Sequence, residues 1–423
     1  MKLKKDLKIS VIGLGYVGLP LAIEFSKLYE VVGYDINADR IHQLHEYNDL
    51  TNETSSKSLK KALNAKLIFT SLESDLSNSD VFIVTVPTPI TEKKVPDLSF
   101  LKLACKTVGS YLKPGDVVIF ESTVFPGCTE EDCVPILEAA SNLIYKQDFH
   151  CGYSPERINP GDKVNTLTKI KKITAGSSPE ISDFVDAIYG SIIEAGTHKV
   201  SSIKVAEAAK SIENVQRDLN ISLVNELSII FDLLDIDTKE VIDAAATKWN
   251  FMKFYPGLVG GHCISVDPYY LTYRSKKGGY DPELISSGRK INENMTVFIA
   301  NKILKMLLKN DIKIIGSKCL ILGVTFKENC SDIRNSKVPK LYRELEEFGI
   351  NVDIYDPKAI QEEVFKEFKI KLVKELDQYD SIILAVGHHE FKQLNYNDLK
   401  RNPSSIIYDI KSFLDKEIVD ARL

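Results

Sequence analysis

Residues 9–37 read ISVIGLGYVGLPLAIEFSKLYEVVGYDIN, and this stretch decides the fold. Ile9 to Ile12 make a short apolar run of strand length, cut off by Gly13, Gly15 and Gly18 in GxGxxG spacing. Leu19 to Leu28 then carry apolar residues at helical spacing, with Pro20 tolerated in a first turn. A second strand, EVVGYD, ends in Asp35. The glycines permit a tight turn, let a pyrophosphate approach the backbone and let helix pack on strand, while the helix N-terminus faces the phosphates. Asp35 would accept hydrogen bonds from a ribose, and its charge would repel a 2′-phosphate, which favours NAD over NADP. The competing reading is a glycine-rich turn in an unrelated α/β domain.

The same grammar continues outward. SDVFIVTVPTPI (79–90) is an apolar strand entering a proline-rich loop, and GDVVIFESTVFPG (115–127) is another, ending at Glu121, Ser122 and Thr123. Ligands gather beyond the carboxyl ends of parallel strands. Thr88 and Thr123 fall there, although capping or turn chemistry explains both equally well. In the last third, SKCLILGVTFKENCSDIRNSK (317–337) repeats the strand-then-glycine theme with one glycine in place of three. A helix follows, then strands in INVDIYDP (ending at Asp356), YDSIILAVGHHEF and SSIIYDI. This half resembles a nucleotide site rather than a second NAD site. Lys327, Asp332 and Arg334 lie beyond its first strand, where phosphate or ribose would bind; a solvated charged loop is the alternative.

Between the halves, residues 201–236 contain no Pro or Gly and read as a helix of roughly thirty residues starting at Ser201 or Ser202, a length suited to a spine or a dimer interface. Lys210 and Asn214 are four apart and share a face. The lysine either snorkels to water or is buried and faces a site. Then comes GLVGGHCISVDPYYL (257–271), in which Gly257, Gly260 and Gly261 let the backbone turn closely around Cys263. His262 is adjacent, but neighbours on an extended loop point to opposite sides. Asp267 sits four residues after Cys263, one turn on if the loop continues as a helix. Cys263 is a small buried thiol or a nucleophile; the segment alone leaves both open.

A chain of 423 residues suggests two or three domains, and 44% hydrophobic residues suffice for more than one core. Lys and Arg number 54 and Asp and Glu 59, a formal net charge of −5, which disfavours a nucleic-acid partner. No apolar run approaches about 18 residues, so no membrane span is expected. The N-terminal basic residues precede a first strand rather than a signal sequence. Seven cysteines are scattered without a CxxC pair, which implies a reduced, cytoplasmic protein with neither a disulfide framework nor a metal site. The expected fold is α/β: two Rossmann-like doubly wound domains joined by a long central helix and a helical domain. The expected division is 1–200 for NAD, 201–300 for the helical and dimerisation domain with the cysteine loop, and 301–423 for the nucleotide sugar.

Six motifs occur in order: GLGYVGLP (13–20), ESTVFPG (121–127), YSPERINPGD (153–162), KVAEAAKSIEN (204–214), GLVGGHC (257–263) with Asp267, and GVTFKENCSDIRNS (323–336). Together they make the chain resemble the UDP-glucose/GDP-mannose dehydrogenase family over essentially its whole length. The likeness is nearest to the bacterial UDP-N-acetylhexosamine 6-dehydrogenases of capsule and O-antigen pathways, the Vi-antigen enzyme among them.

The resemblance implies oxidation of a sugar C6 alcohol to a carboxylate with two NAD reduced, through a thiohemiacetal and a thioester on Cys263. It implies that Lys210 and Asn214 hold an oxyanion and a water, and that Asp267 assists proton transfer. It makes Glu156 the base for hydrolysis, tuned by burial, and lets Thr123 position the water. It assigns Gly13, Gly15, Tyr16, Val17, Gly18, Asp35, Arg40, Thr88, Thr123 and Arg334 to the cofactor. Glu156, Arg157, Lys210, Asn214, Gly260, Phe326 and Lys327 are assigned to the sugar nucleotide. UDP-glucose enzymes commonly follow the motif glutamate with Phe-Leu and a second acid; this chain departs, with Arg157-Ile158-Asn159-Pro160 after Glu156. Arg157 and Asn159 would accommodate a 2-acetamido group, so UDP-GlcNAc or UDP-GalNAc is expected as substrate and a homodimer as the assembly. The rivals are a UDP-glucose or GDP-mannose 6-dehydrogenase, a single-step 3-hydroxyacid dehydrogenase type enzyme needing no cysteine, and a non-catalytic NAD or sugar-nucleotide sensor.

Overall fold

Uninterrupted runs of Val, Ile and Phe make strands that are buried on both faces, as parallel sheets require. The computed structural model describes residues 6–51, 53–158, 164–261 and 263–423. The first sheet contains β1 (Lys8–Ile12), β2 (Glu30–Tyr34), β3 (Leu67–Thr70), β4 (Val81–Val84), β5 (Val117–Phe120), β6 (His150–Tyr153), β7 (Lys172–Gly176) and β8 (Thr197–Lys199). Their order is β3-β2-β1-β4-β5-β6-β7-β8. All neighbours are parallel except β6 and β7, which pair Gly152 with Gly176 and Tyr153 with Ala175 in antiparallel register. The order reverses between β1 and β4, the crevice where doubly wound sheets take ligands. The second sheet, all parallel, contains β9 (Lys318–Leu322), β10 (Asn351–Tyr355), β11 (Ser381–Leu384), β12 (Ile406–Asp409) and β13 (Ala421–Arg422) in the order β10-β9-β11-β12-β13.

By compactness the chain forms two units: residues 1–213 with 269–280, and residues 214–268 with 281–423. The core of the first gathers Ile9, Val11, Leu21, Phe25, Ile83, Ile119 and Phe184, among others, between sheet and helices. The core of the second packs Met295, Ile299 and Ile303 of the helix Glu283–Lys309 against Ile321, Ile354 and Ile383 of the sheet. That helix has 27 residues. It crosses close to the long helix at Gly288, where a Cβ would stand 2.6 Å from Leu219 and 2.8 Å from Ser222.

The long helix itself spans Ile203–Leu233, 31 residues, and the Ser202 hydroxyl accepts the Val205 N–H at 3.3 Å as its cap. Strand β5 stops at Phe120, so Glu121, Ser122 and Thr123 begin the loop beyond it. Among the described residues no helix is long and apolar enough to cross a membrane, and no group of three metal-ligating side chains is found.

Candidate active site

The glycine loop is built around its own backbone. Gly13 has φ +95° and donates its N–H to Tyr34 O at 2.8 Å, closing β1 against β2. At Gly18 a Cβ would fall 1.8 Å from Gly13 O and 2.4 Å from Thr85 Oγ1, so only glycine lets the helix Gly18–Ser26 start this close to the strand. Gly15 is exposed, and a Cβ there would meet nothing within 4 Å. That open space lies before a helix N-terminus that lacks a side-chain cap. Tyr16 and Val17 are half-buried in the same turn. The half-buried Asp35 accepts Leu14 N–H at 2.8 Å and Asn37 N–H at 2.9 Å. Arg40 donates Nε to Leu14 O at 3.0 Å and Nη2 to Asp49 at 2.7 Å, yet its buried Nη1 has no partner. Open cradle, outward acid and orphaned donor suit a dinucleotide: pyrophosphate over Gly15, ribose on Asp35.

Beyond β4 and β5 the loops are tied together. The Thr88 hydroxyl donates to Thr123 O at 2.7 Å, so the turn chemistry is realised there, and Ser122 Oγ donates to Val86 O at 2.6 Å. Tyr270 donates its hydroxyl to Thr88 O at 2.8 Å. A buried charge cluster sits behind these loops. Lys172 Nζ lies 2.6 Å from Glu121 Oε2 and 3.0 Å from Glu156 Oε2, and Tyr189 donates its hydroxyl to Glu121 Oε1. Glu156 also accepts the N–H groups of Arg157 and Ile158 at 2.5 and 2.7 Å. Burial alone would lift the Glu156 carboxyl, but Lys172 and these two N–H groups hold it below its ordinary value. Burial therefore tunes Glu156 only jointly with Lys172, and the net direction is downward. Glu121 shares the lysine, yet burial pushes it up to about 7. Arg157 pairs with Glu213 at 2.7 Å and donates to Lys171 O.

The long helix buries Ile203, Ala206, Glu207, Lys210, Ser211, Asn214, Val215 and Asp218, a stripe of helical period that is more than half polar. Glu207 accepts the N–H groups of Gly127 and Thr129 at 2.5 and 2.9 Å, fixing the chain after Thr123. Lys210 is buried on this stripe, not snorkelling.

In the second unit Asn214 Nδ2 donates to Asp267 Oδ2 at 2.5 Å, and Asp267 N–H closes a helical turn onto Cys263 O at 2.8 Å. A helix does begin at Asp267, which is 3% exposed, while Cys263 is half-buried. Gly261 has φ +86°, and a Cβ there would stand 2.9 Å from the Phe326 ring; one at Gly260 would stand 2.6 Å from Asn335 O. The start of the loop is clamped by Asn225, which donates to Gly257 O at 3.1 Å and accepts Gly257 N–H at 2.8 Å. Asn292 and Arg289 tie that clamp to Asp218. Gly260, Phe326 and Lys327 line a small recess with Lys337, Lys411 and Glu328, a net cationic setting suited to a diphosphate. Arg334 grips Asp332 of its own loop through two nitrogens, at 3.0 and 2.8 Å.

Asn214, Asp267 and Cys263 are thus brought together, as are Gly260, Phe326 and Lys327. His262 and Asn159 lie outside the described residues. Sequence reasoning missed Lys172, Glu207 and Asn225. The signal for Lys172 was available: a lysine inside the strand pattern KKITAG has to find acids.

The chain matches the UDP-glucose/GDP-mannose dehydrogenase family in three consecutive parts: its NAD binding domain over residues 7–193, its central domain over 204–294 and its UDP binding domain over 320–416. It is 53% identical to a UDP-N-acetyl-D-glucosamine 6-dehydrogenase of Pseudomonas aeruginosa, covering 99% of this chain and 100% of the relative. It is 52% identical to a protein of the same name from Salmonella typhi, covering 99% of each. Its fold matches the solved structure of a UDP-D-ManNAc dehydrogenase from Pyrococcus horikoshii with a TM-score of 0.89, at 32% identity over 98% of each chain.

Proposed function

The chain belongs to the UDP-glucose/GDP-mannose dehydrogenase family, and from that premise we propose that it oxidises the C6 alcohol of a UDP-N-acetylhexosamine, UDP-GlcNAc or UDP-GalNAc, to the uronic acid. The two relatives above half identity, both named for UDP-N-acetyl-D-glucosamine, support the acetamido substrate over UDP-glucose or GDP-mannose. The observation that carries the chemistry is the Asn214–Asp267 hydrogen bond one helical turn from Cys263.

Gly13, Gly15, Tyr16, Val17, Gly18, Asp35 and Arg40, with Thr88, Thr123 and Arg334, would hold NAD, which would supply the hydride acceptor for two successive oxidations. Between them the Cys263 thiolate adds to the C6 aldehyde to give a thiohemiacetal. Oxidation of that adduct leaves a thioester, and water releases the carboxylate and restores the thiolate, so one difficult step becomes several easier ones. Lys210 supplies a buried cation for the oxyanion and the thiolate. Asn214 orients Asp267, which moves a proton at the attacking water. Glu156 is the base for hydrolysis, and Thr123 positions the water. Phe326, Lys327 and Gly260 hold the sugar nucleotide, and Arg157 meets the 2-acetamido group.

In this reading residues 1–200 serve NAD, 201–300 the catalytic loop and dimer formation, and 301–423 the UDP-sugar. A homodimer is supported by apolar Val205, Ile212, Leu223 and Ile230 exposed along the long helix, and light scattering at the monomer mass would refute it. The product, an activated acidic sugar, suits surface-polysaccharide assembly in the cytoplasm, a reducing compartment that keeps Cys263 a thiol.

The test follows NADH and product together with NAD and UDP-GlcNAc, UDP-GalNAc or UDP-glucose. Wild type should yield two NADH per uronic acid on the acetamido sugars, and Cys263→Ser should stall after the aldehyde. Undiminished acid production by the variant would remove the thioester, and equal turnover of UDP-glucose would remove the substrate assignment.

A further inference from the structure

Lys172 is the first residue of β7 and is 2% exposed. Because β7 runs antiparallel to β6, its first residue lies beside the chain leaving β6, at the edge where the parallel strands present their carboxyl ends. A parallel β7 would have put that residue at the opposite edge. The reversal therefore delivers an ammonium group to the ligand side of the sheet, between Glu121 and Glu156.

The cluster is poorly explained as a stabilising device. A buried ion pair is often no better than apolar residues of the same volume, and here two acids share one cation. What the arrangement does is treat its two acids differently. Among the described residues, Glu156 receives Lys172 on Oε2 and two backbone N–H groups on Oε1. Glu121 receives Lys172 and the Tyr189 hydroxyl.

We infer that Lys172 is the positioning residue for Glu156, fixing the carboxylate at the ligand edge of the sheet in the orientation from which it takes a proton from water. The inference rests on the role of Glu156 as hydrolytic base. Among the described residues, the groups facing Glu156 are Lys172 from β7, Glu121 beyond β5 and the adjacent Arg157, whose guanidinium turns to Glu213. Of the two acids, Glu121 is the one that burial leaves holding a proton near neutrality, while Glu156 is kept ionised below its ordinary range.

The experiment measures kcat, KM and the species on Cys263 with UDP-GlcNAc and NAD from pH 5 to 9, for wild type, Lys172→Met, Lys172→Arg, the double variant Lys172→Met/Glu121→Gln, and Glu156→Gln. Lys172→Met should lower kcat at pH 7 by about 100-fold with both KM values within about threefold, the size expected for losing a poised base. The acid limb of its kcat profile should move up by about one pH unit or more, with activity returning at alkaline pH, and thioester should accumulate on Cys263 by intact-mass measurement. Lys172→Arg should restore the limb. The double variant removes a negative charge with the positive one and so spares the fold; it should show the same shift, and it decides the matter if Lys172→Met does not fold. A loss that is uniform in pH, or one confined to KM, would overturn the inference. Glu156→Gln separates the two levels: wild-type kcat there sinks the base assignment itself, whereas a stalled thioester there with an unmoved limb in the lysine variants sinks only the role of Lys172.

Discussion

The two strand–loop–strand units that open the two sheets are near copies in backbone and opposite in use. Gly13 and Gly323 have φ +95° and +92°, and donate to Tyr34 O and Tyr355 O at 2.8 and 2.9 Å. Asp35 and Asp356 each follow the second strand and accept the N–H of the residue after that glycine, at 2.8 and 2.7 Å. Each also accepts the N–H two residues on, from Asn37 at 2.9 Å and Lys358 at 2.7 Å. There the likeness ends. After Gly13 a helix starts at Gly18; after Gly323 none starts until Val338, and the intervening loop carries Phe326 and Lys327. Asp35 is half-buried, whereas Asp356 is 7% exposed and also accepts Ala359 N–H at 3.0 Å and the His388 ring at 3.2 Å. Since His388 Nδ1 accepts Asn329 N–H, its Nε2 carries the proton and faces Asp356 and Thr325. One acid stays partly exposed, as the proposed ribose role requires, and the other is a structural keystone. An acid after the second strand therefore identifies a nucleotide site only when its acceptor positions are open.

The sharpest way to break this contrast is at Gly18, which has no counterpart in the second unit. Gly18→Ala drives a Cβ into Gly13 O and Thr85 and should remove about 4 kcal/mol or more of stability, or soluble protein altogether. Gly15→Ala, in open space, should unfold in urea as wild type does yet bind NAD at least about tenfold more weakly, because the methyl group occupies the pyrophosphate's approach. Equal behaviour of the two variants would mean that the loop is a packing device only.

The acids come next. Asp356→Asn should lose about 3 kcal/mol in urea unfolding, because several buried donors lose a charged acceptor, with the KM for NAD unchanged. Asp35→Asn should stay within about 1 kcal/mol of wild type while NAD affinity falls about tenfold and discrimination against NADP narrows. An exchange of these phenotypes would refute the assignment of ligand acid and keystone acid.

The first unit was legible because its signal is local: GxGxxG and Asp35 lie within one βαβ stretch, and each residue type is demanded by backbone approach or ribose geometry. The keystone role of Asp356 was not legible, since its partners Thr325 and His388 lie 31 and 32 residues away. The partners of Lys172 were hidden for the same reason. Its acids are 51 and 16 residues upstream, and only the reversed direction of β7 brings them together. Asn214 and Asp267 were named by motif, but their hydrogen bond depends on a helix beginning at Asp267 rather than on any spacing between them.

The smallest expected effect concerns pH. Burial pushes Glu121 up to about 7, and Glu207 to about 7 against the N–H groups of Thr129 and Gly127. Above their ordinary value of 4.5 the unfolded chain has released protons that the folded first unit still holds, so stability falls as pH rises through that window. Asp356 works in the opposite sense. Burial would lift it, but the His388 N–H and the backbone donors hold it below 3.8, so its contribution is present above that value and is lost only on acidification. Burial also lifts Asp218 and Asp409 in the second unit, with Arg289 opposing it at Asp218 and the N–H groups of Leu414, Lys411 and Phe413 opposing it at Asp409. Between pH 6 and 8 the first unit should therefore lose about 1 kcal/mol relative to the second. Hydrogen exchange corrected for intrinsic rates should show protection in β5 peptides falling about fivefold while β10 peptides hold theirs. Glu121→Gln, which keeps an acceptor for Lys172 but cannot titrate, should remove about half of the β5 response and leave the part due to Glu207. A β10 response as steep as that of β5 would place the titrating acids in both units and erase the difference between them.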